Sequence, residues 1–166
     1  MTKTSSNKNL RAANKAKKDE FYTQISDIEN ELKNYKKHLK GRTVFLNCDD
    51  PEESNFWRYF SENFEHLGLK RLISTHFEKD KPSYKLEIVK DINHDGRINK
   101  LDTIKTPLKQ NGDFRSPECV EILKEADVVV TNPPFSLFRE YVGQCLDLNS
   151  GELHFLFGDV NVVKKK

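Results

Sequence analysis

The segment TNPPF at residues 131–135 places an amide, two prolines and an aromatic ring directly after a run of three valines. Two consecutive prolines fix the backbone after Asn132 and remove two N–H donors, so nearby carbonyl oxygens stay available as acceptors. Together with the Asn132 side-chain oxygen, they suit an exocyclic amine, which has two hydrogens to donate. Holding both hydrogens would direct the nitrogen lone pair at an electrophilic methyl group, with Phe135 stacked on the base. The alternative, from these residues alone, is a strand-ending turn whose phenylalanine joins the core.

A second segment with chemical potential is NCDDPEES, residues 47–54. A phosphate-binding loop would offer glycines and often a lysine. This segment instead carries the acids Asp49, Asp50, Glu52 and Glu53, which favour a positively charged ligand. S-adenosylmethionine, with its sulfonium and ammonium groups, is such a ligand. The alternative is that the acids only cap the helix that follows.

The elements that position these segments are predicted from hydrophobic periodicity and from end signals. An apolar stripe from Phe21 to Leu39 predicts one helix that ends at Gly41. Asp50 as cap, Pro51 and Glu53 predict the start of a second helix, which ends at Gly68. Two further helices are predicted at 116–126, where Ser116 caps, and at about 136–148. The predicted strands are TVFLNC (43–48), LKRLISTHF (69–77), a hairpin of SYKLEIV and RINKLDTIK, DVVVT (127–131) and LHFLFG (153–158).

This order of elements predicts an α/β domain with a mostly parallel sheet. Ligands of open α/β sheets bind beyond the carboxyl ends of the strands. Three predicted strand ends carry chemically useful residues, namely NCDDPEES, THFE and TNPPF. We therefore expect the site at that edge of the sheet.

The segment DINHDGRINKLD, from Asp91 to Asp102, has the spacing of a calcium-binding loop. The segment before it reads as a strand, however, and a single loop lacks a partner. A polar hairpin turn is therefore the favoured interpretation, and no metal is expected.

Composition is typical of one charged globular domain that does not enter a membrane. Of the 166 residues, 33% are charged and 36% hydrophobic, and no apolar run approaches the length of a membrane span. No secretory signal is recognisable at the N-terminus. The scattered Cys48, Cys119 and Cys145 suit reduced thiols in a cytoplasm better than disulfides or a zinc site.

Residues 1–18 form a basic arm that contains no acid. Its cations are Lys3, Lys8, Arg11, Lys15, Lys17 and Lys18. Such an arm can bind nucleic-acid phosphates or can be a solvated, flexible tail, and a transit peptide has a similar composition.

Three collinear stretches resemble the EcoRI-type family of adenine-specific DNA methyltransferases. They are DEFYTQISDIENEL, FLNCDDPEESNFWRYF and NGDFRSPECVEILKEADVVVTNPPFSLFREYV, within residues 15 to about 160. The resemblance implies a Rossmann-like, S-adenosylmethionine-dependent fold acting on double-stranded DNA in a restriction–modification system. Such enzymes flip the target adenine out of the duplex.

The resemblance also implies roles for individual residues. It assigns catalysis to Asn132, Pro133, Pro134 and Phe135. The methionine end of the cofactor is assigned to DEFYT, the ribose to the residue after the second strand, and the adenine to GDF. DDPEESNF takes the place of a further cofactor-binding motif. The implied cofactor residues are Phe21, Tyr22, Thr23, Asp49, Asp50, Pro51, Asn55, Glu78, Asp113 and Phe114.

The sequence departs from the family pattern in two ways that bear on the expected cofactor contacts and on the expected extent of the domain. Ser54 and Phe56 replace the glycines of the usual cofactor motif D-P-x-x-G-x-G. Members of the family also continue beyond the point where this chain stops, so we expect a flexible arm (1–18) and a C-terminally incomplete catalytic domain (19–166) without a target-recognition region. The alternatives are a non-catalytic remnant that keeps cofactor or DNA binding, and methylation of RNA or of a protein glutamine.

Overall fold

The computed structural model describes residues 24–47, 50–131, 133, 135–148, 153–156 and 163–164. The basic arm lies outside them. The helices are α1 (Ile25–Leu32), α2 (Lys36–Leu39), α3 (Asn55–Glu62), α4 (Phe64–Leu67), α5 (Pro117–Glu125) and α6 (Phe138–Leu148), with short 3-10 helices at Lys100–Asp102 and Phe135–Leu137. The strands are β1 (Thr43–Asn47), β2 (Arg71–Thr75), β3 (Tyr84–Ile88), β4 (Ile104–Pro107), β5 (Val128–Thr131), β6 (Leu153–Leu156) and β7 (Val163–Lys164).

The strands form one sheet in the order β4-β3-β2-β1-β5-β6-β7. The central strands β2, β1, β5 and β6 run parallel. Antiparallel pairing adds β3 and β4 at one edge and β7 at the other. The predicted α/β class with a mostly parallel sheet is confirmed. The predicted hairpin is present as the antiparallel pair β3–β4, but its second strand begins only at Ile104, because Asn99 caps the 3-10 helix at Lys100–Asp102.

Helices cover both faces of the sheet. Val44 and Leu46 of β1 belong to the hydrophobic cluster that holds α1 and α3, whereas Phe45 belongs to the cluster that holds α5 and α6. All three side chains are buried. A strand that is apolar on both faces is what a central parallel strand requires. Among the described residues, no helix is long and apolar enough to cross a membrane.

The predicted helix start, with Asp50 as cap followed by Pro51 and Glu53, is wrong. The Asp50 carboxylate accepts from the Glu52 backbone N–H at 2.9 Å, and the backbone carbonyl of Asp50 accepts from Ser54 N–H at 2.7 Å. This turn competes with the helix for the same backbone groups. Helix α3 therefore begins at Asn55, and the Ser54 hydroxyl caps it by accepting from the Phe56 N–H at 3.1 Å.

The predicted helix with the stripe from Phe21 to Leu39 is two helices where it is described. Residues 33–35 form a turn between α1 and α2, although Ile28, Leu32 and Leu39 are buried as the stripe predicts. Asn34 in this turn is a weak helix former. The second predicted helix is also two helices, α3 and α4, which are separated at Asn63. Its predicted end at Gly68 is confirmed, since this residue has a φ of 67° and donates to the Glu65 carbonyl.

Candidate functional site

A cavity of about 340 Å³ opens at the carboxyl ends of β1 and β2. This volume is within the range of small-molecule sites. The lining residues are Asn47, Asp50, Thr75, His76, Phe77, Gly112, Asp113, Phe114, Arg115 and Leu137. The cavity therefore combines two of the three strand ends expected from the sequence with the segment that precedes α5.

The strand ends beside the cavity are tied together by hydrogen bonds. Thr75 at the end of β2 donates to the Asn47 side-chain oxygen at 3.1 Å. Thr131 at the end of β5 donates to the Asn47 backbone carbonyl. From β1 the chain continues to β2 on one side in the sheet, and from β5 it continues to β6 on the opposite side. The neighbouring strands β1 and β5 therefore flank a topological switch point, which is where open α/β sheets bind ligands.

Aromatic and aliphatic side chains supply the apolar part of the lining. Phe114 is only 5% exposed, and its ring meets the Tyr141 ring edge-on with the centroids 5.0 Å apart. Gln144 of α6 donates to the Phe114 carbonyl at 2.8 Å. Phe77, in contrast, is 52% exposed. An exposed ring in a cavity with an apolar wall suits a flat, apolar ligand surface such as a purine.

Gly112 lets the segment before α5 approach the end of β2. Its φ is +80°, in the left-handed region that favours glycine. A Cβ at this position would lie 1.9 Å from the backbone oxygen of His76. The shape of the cavity therefore depends on the absence of a side chain at this residue.

Asp113 is held by Arg115. The guanidinium donates to both carboxylate oxygens at 2.9 Å, and the backbone N–H of Arg115 donates to Oδ1 at 2.8 Å. These contacts, the guanidinium foremost, hold the pKa of Asp113 below its ordinary value of 3.8. Oδ1 accepts two of these bonds, whereas Oδ2 accepts one and keeps a lone pair with which it can accept from a ligand.

Replacing Arg115 by glutamine should raise the pKa of Asp113 towards its ordinary value, measurable by NMR titration of the carboxyl carbon. Because the folded-state pKa is depressed, the pair stabilises the fold above the unfolded-state pKa, and the stabilisation is lost as the pH falls through the folded-state pKa. Wild type should therefore gain more stability than the variant on going from pH 3 to pH 6. A carboxyl that titrates identically in both proteins would contradict the assignment.

The acidic segment contributes Asp50 to the cavity. Its Oδ2 lies 3.5 Å from His76 Nε2. Neighbouring Glu52 points elsewhere, with Oε1 lying 3.6 Å from the Lys105 ammonium. Of the acids in the described part of this segment, Asp50 is the one that faces the site.

The structure brings together part of the predicted set. Asp50, Asp113 and Phe114 line the cavity. Pro51, Asn55 and Glu78 are described but are not among the lining residues, although Glu78 Oε1 lies 3.8 Å from His76 Nδ1. Pro133 is buried, and Phe135 begins a 3-10 helix. The predicted residues outside the described part are Phe21, Tyr22, Thr23, Asp49, Asn132, Pro134 and the side chain of Phe135.

Several lining residues were not among the predicted site residues. His76 and Phe77 belong to the strand end THFE, from which only Glu78 was selected. Gly112 and Arg115 flank the predicted pair Asp113–Phe114. In both places, the position of these residues next to a predicted strand end or motif indicated that they lie near the site. The sequence did not show which of their side chains faces the cavity.

The loop from Asp91 to Asp102 connects β3 and β4 and lies away from the cavity lining. Asp91 accepts from the backbone N–H groups of His94 and Gly96, at 2.7 and 2.9 Å. Asp102 accepts from those of Ile92 and Asn99, at 2.8 and 3.0 Å. These bonds order the loop as the predicted polar connection. Within the described residues, no group of three or more His, Cys, Asp or Glu side chains is arranged to hold a metal ion.

Three curated proteins are similar to the chain. Type II methyltransferase M.EcoRI of Escherichia coli is 42% identical over 174 residues, which cover 100% of this chain and 53% of that protein. Type II methyltransferase M.MgeORF184P of Mycoplasma genitalium is 45% identical over 82% of this chain and 40% of its own length. Type II methyltransferase M.MpnI of Mycoplasma pneumoniae is 42% identical over 88% and 42%. The chain thus spans about half the length of these relatives or less.

The family comparison covers nearly the whole chain. No solved structure is significantly similar to it. The model of the family described as adenine-specific methyltransferase EcoRI matches residues 9–166. Together with the identities above, this match establishes that the chain belongs to the EcoRI family of adenine-specific methyltransferases.

Proposed function

We propose that the cavity binds S-adenosylmethionine and that the chain carries the catalytic part of an enzyme that methylates the exocyclic amine of adenine in double-stranded DNA. The observation that carries this proposal is the cavity itself, in which an exposed aromatic ring and an acid lie at the carboxyl ends of parallel strands. Membership of an adenine-specific methyltransferase family supports the choice of reaction. We place this reaction in a restriction–modification system of a bacterial or archaeal cytoplasm.

The lining residues fit the parts of this cofactor. Phe77 and Phe114 offer apolar surface to the adenine ring of the cofactor. The Asp113 carboxylate offers an acceptor for the exocyclic amine of that adenine. Asp50 offers a negative charge to the cationic part. From the resemblance, Glu78 is assigned to the ribose, and the remaining contacts are assigned to Phe21, Tyr22, Thr23, Asp49, Pro51 and Asn55.

When bound, the cofactor supplies an electrophilic methyl group. The chain's part is to hold the target amine, and we assign this to the Asn132 side-chain oxygen and the carbonyls around Pro133 and Pro134. Phe135 stacks on the base, which is extruded from the duplex. No base has to remove a proton before attack, because the product loses it afterwards. Positioning and electrostatics therefore carry the catalysis.

Replacing Phe77 by alanine should weaken S-adenosylmethionine binding by about 5–30-fold, because aromatic stacking on a base contributes about 1–2 kcal/mol. The melting temperature should change little, since the ring is 52% exposed. Calorimetric titration measures the affinity. Leu101→Ala is the matched control, because Leu101 is 65% exposed and is absent from the cavity lining. Equal affinities of Phe77→Ala and Leu101→Ala would contradict the assignment.

Transfer of a labelled methyl group tests the reaction. The protein is incubated with labelled S-adenosylmethionine and duplex DNA, single-stranded RNA or a glutamine-containing protein, and digested nucleosides are separated. We expect N6-methyladenine from duplex DNA alone. Label in RNA or protein would assign another substrate class, and binding of the cofactor without transfer would support a non-catalytic remnant.

A further inference from the structure

His76 follows β2 directly and forms part of the cavity lining, although its own side chain is only 14% exposed. Its backbone N–H donates to the Tyr84 carbonyl at 3.0 Å. Its ring stacks on the Tyr84 ring, with the centroids 4.6 Å apart and the planes 7° from parallel. The Lys105 ammonium lies 3.9 Å from the centroid of the Tyr84 ring. Neighbouring strands thus hold this imidazole in one orientation.

The two ring nitrogens of His76 face different partners. Nδ1 lies 2.8 Å from the hydroxyl of the buried Ser83, and Nε2 lies 3.5 Å from Asp50 Oδ2. A serine hydroxyl can donate or accept, whereas a carboxylate oxygen only accepts. If the neutral ring carried its proton on Nδ1, the Nε2 lone pair would face the carboxylate and repel it. Glu78 Oε1 also lies on the Nδ1 side, but at 3.8 Å it is farther from Nδ1 than Ser83 is and farther than Asp50 is from Nε2. The arrangement is therefore satisfied best when Ser83 donates to Nδ1 and the proton of the ring is on Nε2, on the side of Asp50.

The other oxygen of Asp50 is also occupied. Oδ1 accepts from the Glu52 backbone N–H at 2.9 Å. The carboxylate therefore has one oxygen anchored to its own turn and one facing the imidazole. Contacts on both sides restrict its rotation, so that the charge is presented to the cavity in a defined direction.

We propose that His76 is a positioning residue, which orients the Asp50 carboxylate for the cationic part of the ligand and is itself oriented by Ser83. This inference rests on the proposed binding of S-adenosylmethionine. It adds a histidine and a serine to the site residues that the sequence predicted. Its two tests separate its own failure from that of the proposed function.

The first test needs no ligand. Nitrogen-15 NMR of the free protein, above the pH at which the ring is protonated, should show the His76 proton on Nε2. Ser83→Ala should shift part of the population to the Nδ1–H form. A wild-type ring protonated on Nδ1 would overturn the proposal, whether or not the protein binds S-adenosylmethionine.

The second test is a double-mutant cycle on S-adenosylmethionine affinity. His76→Leu should weaken binding about tenfold in the wild-type background, which is the size of one hydrogen bond to a charged group. It should have little further effect in Asp50→Asn. His76→Gln, which keeps an N–H donor, should restore much of the loss, and His66→Leu is the control for an exposed histidine outside the cavity lining.

Additive losses in the cycle, or no rescue by glutamine, would show that His76 acts only through packing. Failure of the wild-type protein to bind S-adenosylmethionine would instead refute the proposed function, and the tautomer measurement would then decide the role of His76. Thermal unfolding of each variant shows whether it is folded.

Discussion

Replacing Gly112 by alanine should abolish ligand binding at the cavity and lower the free energy of unfolding by about 2–5 kcal/mol. Its φ of +80° is unfavourable for a residue with a Cβ, at a cost of about 1–2 kcal/mol. In addition, the new Cβ would lie 1.9 Å from the His76 carbonyl oxygen, so the segment or the end of β2 must shift, which typically costs about 1–3 kcal/mol. Denaturant unfolding and calorimetric titration with S-adenosylmethionine measure the two effects.

Gly96→Ala is the matched control for this prediction. Gly96 has a similar φ of +87°, but nothing lies within 4 Å of the Cβ that alanine would add. It should therefore show the backbone cost alone and leave S-adenosylmethionine binding unchanged. If Gly112→Ala is no less stable than Gly96→Ala and still binds, the close approach of residue 112 to His76 does not shape the site.

Replacing Asn132 by alanine should reduce methyl transfer by about 100–1,000-fold, the usual effect of removing one group that stabilises the developing charge. The affinity for S-adenosylmethionine should stay within about twofold, because we assign Asn132 to the target amine and not to the cofactor. The structural basis is the neighbouring residue Thr131, which ends β5 and donates to Asn47 in the cavity lining. Rates of labelled methyl transfer under saturating cofactor provide the measurement.

A variant that loses cofactor binding together with activity would contradict this division of roles. Phe135→Ala is a useful companion. Its effect should appear mainly in the affinity for DNA and in the rate, because we assign its ring to the extruded base. A variant at 135 that changed only the affinity for cofactor would reverse the assignment.

Much of the fold follows from local patterns. The central strand β1 could be predicted because its consecutive residues Val44, Phe45 and Leu46 are all apolar. A strand buried on both faces, as in the centre of a parallel sheet, has this pattern. The helix that begins at Pro117 was predicted from its Ser116 cap, and that cap is present, with the hydroxyl accepting from the Cys119 N–H at 3.4 Å. Such signals lie within a few residues of the feature that they specify.

The errors arise where two local signals compete. Asp50 and Ser54 are both good cap residues, and sequence alone favoured Asp50 because Pro51 and Glu53 follow it. The structure uses Ser54 and turns the chain at Asp50. This difference bears on the site, because Asp50 lines the cavity and does not serve as a helix cap.

Most of the cavity wall could not be predicted, because it depends on contacts between distant residues. Gly112 faces the His76 carbonyl only because the segment before α5 passes the end of β2. Phe77 reads as the end of an apolar strand, yet β2 ends at Thr75 and the ring is left half exposed in the cavity. Asp113 and Phe114, in contrast, were predicted from the family resemblance, and both line the cavity.

The most direct test of the central claim is to locate S-adenosylmethionine on the protein by NMR. Backbone and aromatic resonances are followed while the ligand is titrated to saturation. We predict saturable shifts at Asp50, at His76 and Phe77 and at residues 112–115, with nuclear Overhauser contacts between the adenine protons and the rings of Phe77 and Phe114. Saturable binding that leaves these residues unchanged, or contacts of the adenine to another surface, would contradict the assignment of the cavity.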